Sequence, residues 1–128
     1  MKSKWIEPKY DKYGMTQWSW RVLHTENFVL GKRVEIGTFT IIDATKGVVI
    51  ENNTKIGWGC SILSYSSIDG KKGRVILKKN SKIGANSVIL PNVTIGENTI
   101  IGANSLVNRN IPANEIWVGS PVRKLREI

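Results

Sequence analysis

The chain has 128 residues, which favours one domain. Hydrophobic content of 41% and charged content of 23% are ordinary for a globular protein, and one cysteine, Cys60, excludes an intrachain disulfide. No apolar run approaches the roughly 20 residues of a membrane span, and the start, "MKSKWIEPKY", has no apolar core of signal-peptide length.

These features predict a soluble, cytoplasmic protein without a membrane partner. The net charge of +9 points to an anionic ligand, a membrane surface or nucleic acid. No zinc-finger spacing and no basic helix with interleaved aromatics is present, so a nucleic-acid partner is not expected.

Residues 1–27 carry no repeat. The stretch "KYDKYGMTQWSWRVLHTENF" places Trp18 and Trp20 close together. It predicts a short helix or loop that covers the N-terminal end of whatever follows, where apolar side chains and strand edges would otherwise lie open.

Residues 28–112 keep a six-residue beat. The aliphatics are Leu30, Ile36 and Ile42, then Ile50, Ile56, Ile62 and Ile68, then Leu77, Ile83, Ile89, Ile95, Ile101 and Val107. Four residues beyond most of them stands a small or β-branched side chain: Val34, Thr40, Thr54, Cys60, Ser66, Ser81, Ser87, Val93, Thr99, Ser105 and Ile111. A period of six matches neither an amphipathic helix nor alternating strands. It predicts short strands joined by tight corners, three to a coil, with the aliphatics stacked inside a prism and each rung dependent on its neighbours. Glycine and asparagine supply the corners. Residues 113–128 form a closing turn and a basic tail, with Trp117 and the chain from Pro121 expected to cover the far end.

The beat slips twice, by two residues within "DATKGVV" and by three within "IDGKKGRVI". Extra residues cannot fit inside a prism and must bulge outward, and loops on a rigid scaffold are where function concentrates. Asp43, Asp69, Lys71, Lys72 and Arg74 cluster in these two stretches.

The segment "IGANSVILPNVTIGENTIIGANSLVNRNIP" and the ending "VNRNIPANEIWVGSPVRKLREI" resemble the hexapeptide-repeat acyltransferases over residues 28–128. The resemblance implies an all-β fold, a left-handed parallel β-helix with a short N-terminal cap and a C-terminal tail, assembled as a homotrimer. It also implies acetyl-coenzyme A (acetyl-CoA) as co-substrate, in a groove between coils of adjacent subunits, with an acceptor beside the bulged loop. Ala85 and Ala103 match the family's pantetheine contacts, and Arg109, Arg123, Lys124 and Arg126 its phosphate contacts.

The family's loop histidine has no counterpart. Its place falls near Ser66 or Ser67, and the chain's one histidine, His24, stands ahead of the repeats and reads as structural. Acylating a hydroxyl demands a base poised near neutral pH, whereas an amine need only lose its ammonium proton. The departure therefore favours an amine acceptor or a carboxylate base. Asp69 and Ser67 are the catalytic candidates, although Asp69-Gly70 is also a turn signal. Asp43, Tyr65 and Ser66 are candidates to orient the acceptor, and Lys71, Lys72 and Arg74 to meet a diphosphate.

The expected function is acetylation of a sugar, at the amino group of a nucleotide-linked amino sugar. The alternatives are a sugar O-acetyltransferase of polysaccharide biosynthesis and a non-enzymatic β-helix scaffold. No metal site is expected, because one histidine does not supply the three ligands that a zinc hydratase on this fold requires.

Overall fold

A residue that is β-branched at most repeat positions favours extended backbone, and two or three extended residues fit before each corner. The computed structural model, which describes residues 4–128, follows that rule. β1 (Arg21–Leu23), β2 (Phe28–Leu30) and β3 (Glu35–Ile36) make the first coil. β4 (Ile41–Asp43), β5 (Val48–Ile50) and β6 (Lys55–Ile56) make the second, and β7 (Ser61–Leu63), β8 (Val75–Leu77) and β9 (Lys82–Ile83) the third. β10 (Val88–Ile89), β11 (Thr94–Ile95) and β12 (Ile100–Ile101) follow. The fifth coil holds β13 (Leu106–Val107), a bridge from Ile111 to Ile95, and β14 (Glu115–Val118). β15 (Arg123–Glu127) then turns back antiparallel on β14.

The strands stack into three sheets. Face 1 runs β1-β4-β7-β10-β13, face 2 runs β2-β5-β8-β11, and face 3 runs β3-β6-β9-β12-β14-β15. Every other strand pair is parallel. The architecture is a left-handed parallel β-helix.

Ile42, Ile50, Ile62, Leu77, Ile89, Ile95, Ile101 and Val107 fill the prism and are almost fully buried. Each such side chain contributes about 2–3 kcal/mol through removal of apolar surface from water. The small residues occupy the narrow corners, where several hydroxyls donate to carbonyls of the next coil, although Ser81 Oγ has no partner among the described residues. Thr40 Oγ1 donates to the Gly57 carbonyl (3.1 Å), Ser87 Oγ to Gly102 (3.2 Å) and Thr99 Oγ1 to Pro112 (2.6 Å). Corner asparagines adopt the left-handed backbone and link coil to coil, as in Asn80 to Asn98 (2.7 Å) and Asn86 to Asn104 (3.0 Å).

The structure corrects the beat in two places. Ile68 is no interior residue: it is 93% exposed. The interior passes from Ile62 directly to Leu77, so residues 64–74 form one outward loop rather than a coil corner with a three-residue bulge. Ser64, not Ser66, is the buried small residue of that corner, and Ser66 is half-buried. The paired strands also begin at Arg21, ahead of Leu30, with Val22 and Trp20 buried. The spacing from Val22 to Leu30 equals that from Ile42 to Ile50, so the same widened corner hid the first rung.

Aromatic side chains stand at both ends of the prism. Trp20 packs edge-on against Tyr10 (6.1 Å between ring centroids), and Trp5 Nε1 donates to the Val34 carbonyl (2.9 Å). At the other end Trp117 and Val122 are buried, and Arg109 lies over the Trp117 ring at 5.0 Å. Among the described residues no helix is long and apolar enough to cross a membrane.

Candidate active site on two corners

Corner 1–2, between faces 1 and 2, carries all the irregularity. Residues 24–27, 44–47 and 64–74 stack there on three successive coils. The two bulges expected from the sequence therefore share an edge. Ser64 Oγ ties them together: it donates to the Asp43 carbonyl (2.7 Å) and accepts from the Lys46 N–H (2.8 Å). Above it the loop folds as a small hairpin. Tyr65 bridges Lys72, Ser66 N–H donates to the Lys71 carbonyl (2.8 Å), and Gly73 N–H donates to the Ser64 carbonyl (2.9 Å).

Both candidate carboxylates close turns. Asp43 Oδ1 accepts from the Thr45 N–H (2.9 Å). Asp69 Oδ1 accepts from the Lys71 N–H (3.1 Å), and Lys71 Nζ stands 3.8 Å from its other oxygen. The Lys71 N–H is the largest cause holding the Asp69 carboxyl below its ordinary range, with a hydrogen bond from Ser66 and the Lys71 charge adding to it. A carboxylate stabilised in this way is a weaker proton acceptor. Ser67 is exposed at the loop tip.

Lys46 and Arg74 meet at the base of the loop. Arg74 lays its stem over Gly47, where a Cβ would stand 3.3 Å from Arg74 Cγ. Gly47 has φ +98, a conformation glycine tolerates without strain. Together with Asn27, Val29 and Thr45 these residues line a cleft of about 380 Å³. Both Lys46 and Arg74 are exposed on this cleft, which gives it a positive lining. Lys46 was not among the sequence candidates, although it lies in the first bulge.

His24 belongs to the same edge. It follows β1 rather than preceding the coils, it is exposed, and its Nδ1 lies 3.1 Å from Glu26 Oε1. The carboxyl of Glu26 is held below its usual range, first by its own backbone N–H and then by His24. Glu26 thereby orients the imidazole, with the other ring nitrogen left to interact elsewhere.

Corner 3–1, between faces 3 and 1, is the regular one. Gly37-Thr38, Gly57-Trp58, Gly84-Ala85 and Gly102-Ala103 stack in one column. Ala85 and Ala103 are neighbours on successive coils, as their spacing predicts. The glycines are required by contact: a Cβ on Gly84 would stand 2.4 Å from the Ala103 nitrogen, and one on Gly57 2.6 Å from the Ala85 nitrogen. The carbonyls of Trp58 and Ala85 are used, accepting from Asn86 (2.7 Å) and Asn104 (2.8 Å). The exposed N–H groups of Ala85 and Ala103 have no acceptor among the described residues. At corner 2–3, side chains take that role on two of the coils: Lys32 N–H donates to Asn52 Oδ1 (2.7 Å) and Lys79 N–H to Glu51 Oε1 (3.0 Å). Corner 3–1 thus presents unspent donors, one per coil, at the sheet spacing of about 4.8 Å.

The four basic candidates at the C-terminal end do not lie together. Arg123 pairs with Val118, where β14 enters corner 3–1, so it stands at the top of the alanine column. Lys124 is engaged by Glu115 (3.3 Å) and Glu127 (3.5 Å), and the Glu115 contact is the first cause of its raised pKa. Arg126 is at the other end of β15, and Arg109 is on corner 1–2 of the fifth coil. Within one chain the loop and the alanine column sit on opposite edges of face 1. Several outward side chains of that face, among them Ile41, Leu63, Val88 and Leu106, are apolar and half-buried, beside the polar Arg21, Asp43 and Ser61.

The profile described as bacterial transferase hexapeptide (six repeats) matches residues 74–109. The chain is a hexapeptide-repeat protein. Over 99 residues this hexapeptide-repeat chain is 33% identical to a serine acetyltransferase of Buchnera aphidicola subsp. Schizaphis graminum. That match covers 77% of the chain and 38% of the relative, so the chain spans about two-fifths of the relative's length. Among solved structures it is similar to a maltose O-acetyltransferase from Clostridium difficile 630, with a TM-score of 0.76 and 26% identity over 85% of this chain and 63% of that one. It is also similar to a mutant of AntD, an N-acyltransferase from Bacillus cereus in complex with dTDP-4-amino-4,6-dideoxyglucose and coenzyme A. There the TM-score is 0.72, with 25% identity over 89% of this chain and 81% of that one.

Proposed function

We propose that this hexapeptide-repeat protein is an acetyl-CoA-dependent acetyltransferase acting on the amino group of a nucleotide-linked amino sugar. The observation that carries the reading is the unspent N–H column at corner 3–1. Its small side chains let a thin amide-bearing arm approach, and its free donors suit the pantetheine carbonyls. The relatives support it: one is named as an acetyltransferase, and one solved neighbour is an N-acyltransferase bound to an amino-sugar nucleotide and coenzyme A.

The acceptor lies at corner 1–2. Lys46 and Arg74, with Lys71 and Lys72 on the loop above, meet its diphosphate. Tyr65, Ser66, Ser67 and Asp43 orient the sugar. A second copy of the chain brings its corner 3–1 against this edge, and a cyclic homotrimer provides three equivalent sites of that kind. The amine nitrogen attacks the thioester carbonyl carbon, the C–S bond breaks, and the proton lost by nitrogen goes to the departing thiolate. The Ala85 N–H is aimed where the oxyanion develops. Asp69, weakened as a base by its turn contacts, attracts the acceptor's ammonium form by its charge; that first proton is lost to solvent before the neutral amine attacks.

The second reading, a sugar O-acetyltransferase, draws on the His24–Glu26 pair, an oriented imidazole on the acceptor edge suited to hydroxyl activation. One experiment separates the two. The purified protein is given acetyl-CoA with amino-sugar and hydroxy-sugar nucleotides, and thiol release is followed for the parent and for His24→Gln. Turnover of the amino sugar that survives His24→Gln supports N-acetylation. Turnover confined to hydroxy sugars, lost roughly 100-fold in the variant, supports the second reading.

A further inference from the structure

Two large aromatic side chains break the small-residue rule of corner 3–1. Trp58 occupies the same column position as Ala85 and Ala103, one coil towards the N-terminus, and it is 72% exposed. Phe39, on the first coil of the same corner, is 73% exposed. Its φ is +64, in the position that Gly59, Asn86 and Asn104 fill on the coils above. A bulky residue in the left-handed region costs about 1–2 kcal/mol. Neither ring contributes to the prism interior, so core packing does not account for them.

The direction of Trp58 is fixed by its neighbour. A Cβ on Gly37 would stand 2.5 Å from Trp58 Cδ1, so the indole leans towards the first coil and away from Ala85. The Ala85 and Ala103 donors stay open, and the corner is obstructed immediately beyond them. Read from the C-terminal end, the column is Arg123, Ala103, Ala85 and then indole. From the fifth coil to the second is three spacings, about 14 Å, of the order of an extended pantetheine arm. A thioester held on this column ends against Trp58.

We infer that Trp58, backed by Phe39, is the end wall of the acyl subsite and restricts the donor to short acyl groups such as acetyl. A longer chain continuing along the corner would have to displace the indole. This inference rests on the reading of corner 3–1 as the coenzyme groove, and its test separates the two.

Calorimetric affinities are measured for coenzyme A and for acetyl-, butyryl- and hexanoyl-CoA, with no acceptor present. The parent protein is compared with Trp58→Ala and Phe39→Gly. The parent is expected to bind acetyl-CoA and to lose at least tenfold in affinity by hexanoyl-CoA. Trp58→Ala recovers that tenfold while its affinity for coenzyme A stays unchanged, and Phe39→Gly recovers part of it. Because both rings are exposed, neither variant disturbs the prism: the thermal midpoint should stay unchanged in Trp58→Ala and should not fall in Phe39→Gly, where glycine relieves the left-handed strain. A parent that binds hexanoyl-CoA as well as acetyl-CoA overturns the wall, as does a Trp58→Ala profile parallel to the parent's. In both cases the groove itself stands. Failure of every protein to bind coenzyme A removes the groove, and the wall with it.

Discussion

Corners 3–1 and 1–2 are built from the same repeat and spend their polar groups in opposite ways. At corner 3–1 the coils superpose so closely that glycine is the only residue that fits, and the following N–H groups are left unsatisfied. At corner 1–2 the first three coils are widened, and the extra residues satisfy one another: Ser64 with Asp43 and Lys46, Asp69 with Lys71, His24 with Glu26. One corner is a rigid rail with open donors. The other is a self-contained polar structure whose cations face outward. A rail suits a ligand with a repeated amide chemistry. A variable loop suits a ligand that differs from one enzyme to another, which is why divergence within one fold collects there.

The largest expected effect tests the rail. Gly84→Val places a side chain against the Ala103 backbone, which cannot yield without separating two coils. A loss of about 3 kcal/mol is expected, at the upper end of overpacking costs. Gly70, in the loop, has φ +73 and open space around its missing Cβ. Gly70→Ala should cost only the left-handed strain, about 1 kcal/mol. Urea denaturation of the two variants measures both. Equal losses would mean that the corners do not differ in kind.

A smaller effect tests the cationic side. Lys46→Ala and Arg74→Ala should each raise the KM for a diphosphate-bearing acceptor about tenfold, the equivalent of roughly 1.4 kcal/mol. Coenzyme affinity should not change. The penalty should shrink in higher salt, because both groups are exposed and screened. Acceptor kinetics at two ionic strengths, with calorimetry for the coenzyme, check this. An equal loss of coenzyme binding would move the phosphate contacts of the donor onto corner 1–2.

The difference between the corners also explains what the sequence could disclose. The rail was legible because contact enforces it: every Gly-Ala step is a place where a Cβ would collide, so the pattern recurs without exception at 84 and 102. The widened corner was not, because residues that leave the prism are released from its period. Ile68 falls six residues after Ile62 by coincidence, and a loop isoleucine facing water looks identical in the beat to one facing the core. The first coil was lost for the complementary reason, since Val22 to Leu30 repeats the widened spacing rather than the regular one. With β1 unseen, His24 stood outside the fold instead of on its widened corner. Lys46 sat within a recognised bulge, but only the stacking of the two loops shows that it lines the same cleft as Arg74.

The smallest expected effect concerns Asp69, where turn and base make different demands. Its pKa is lowered, so the stabilisation it lends the loop is present above the unfolded carboxylate value of about 3.9 and is lost as pH falls through the lower folded value. Loop order should therefore be constant from neutral pH down to about that value and decline only in stronger acid. Asp69→Asn keeps an oxygen to accept from the Lys71 N–H, so the turn should survive, and amine turnover should fall no more than a few-fold. A general base would behave otherwise: its removal costs about 100-fold or more, with the acidic limb of the rate profile abolished. Steady-state rates between pH 5 and 9 for parent and Asp69→Asn distinguish the two. A near-parallel pair of profiles keeps Asp69 as the latch of the proposed acceptor loop, as expected for an amine that passes its proton to the departing thiolate and needs no general base.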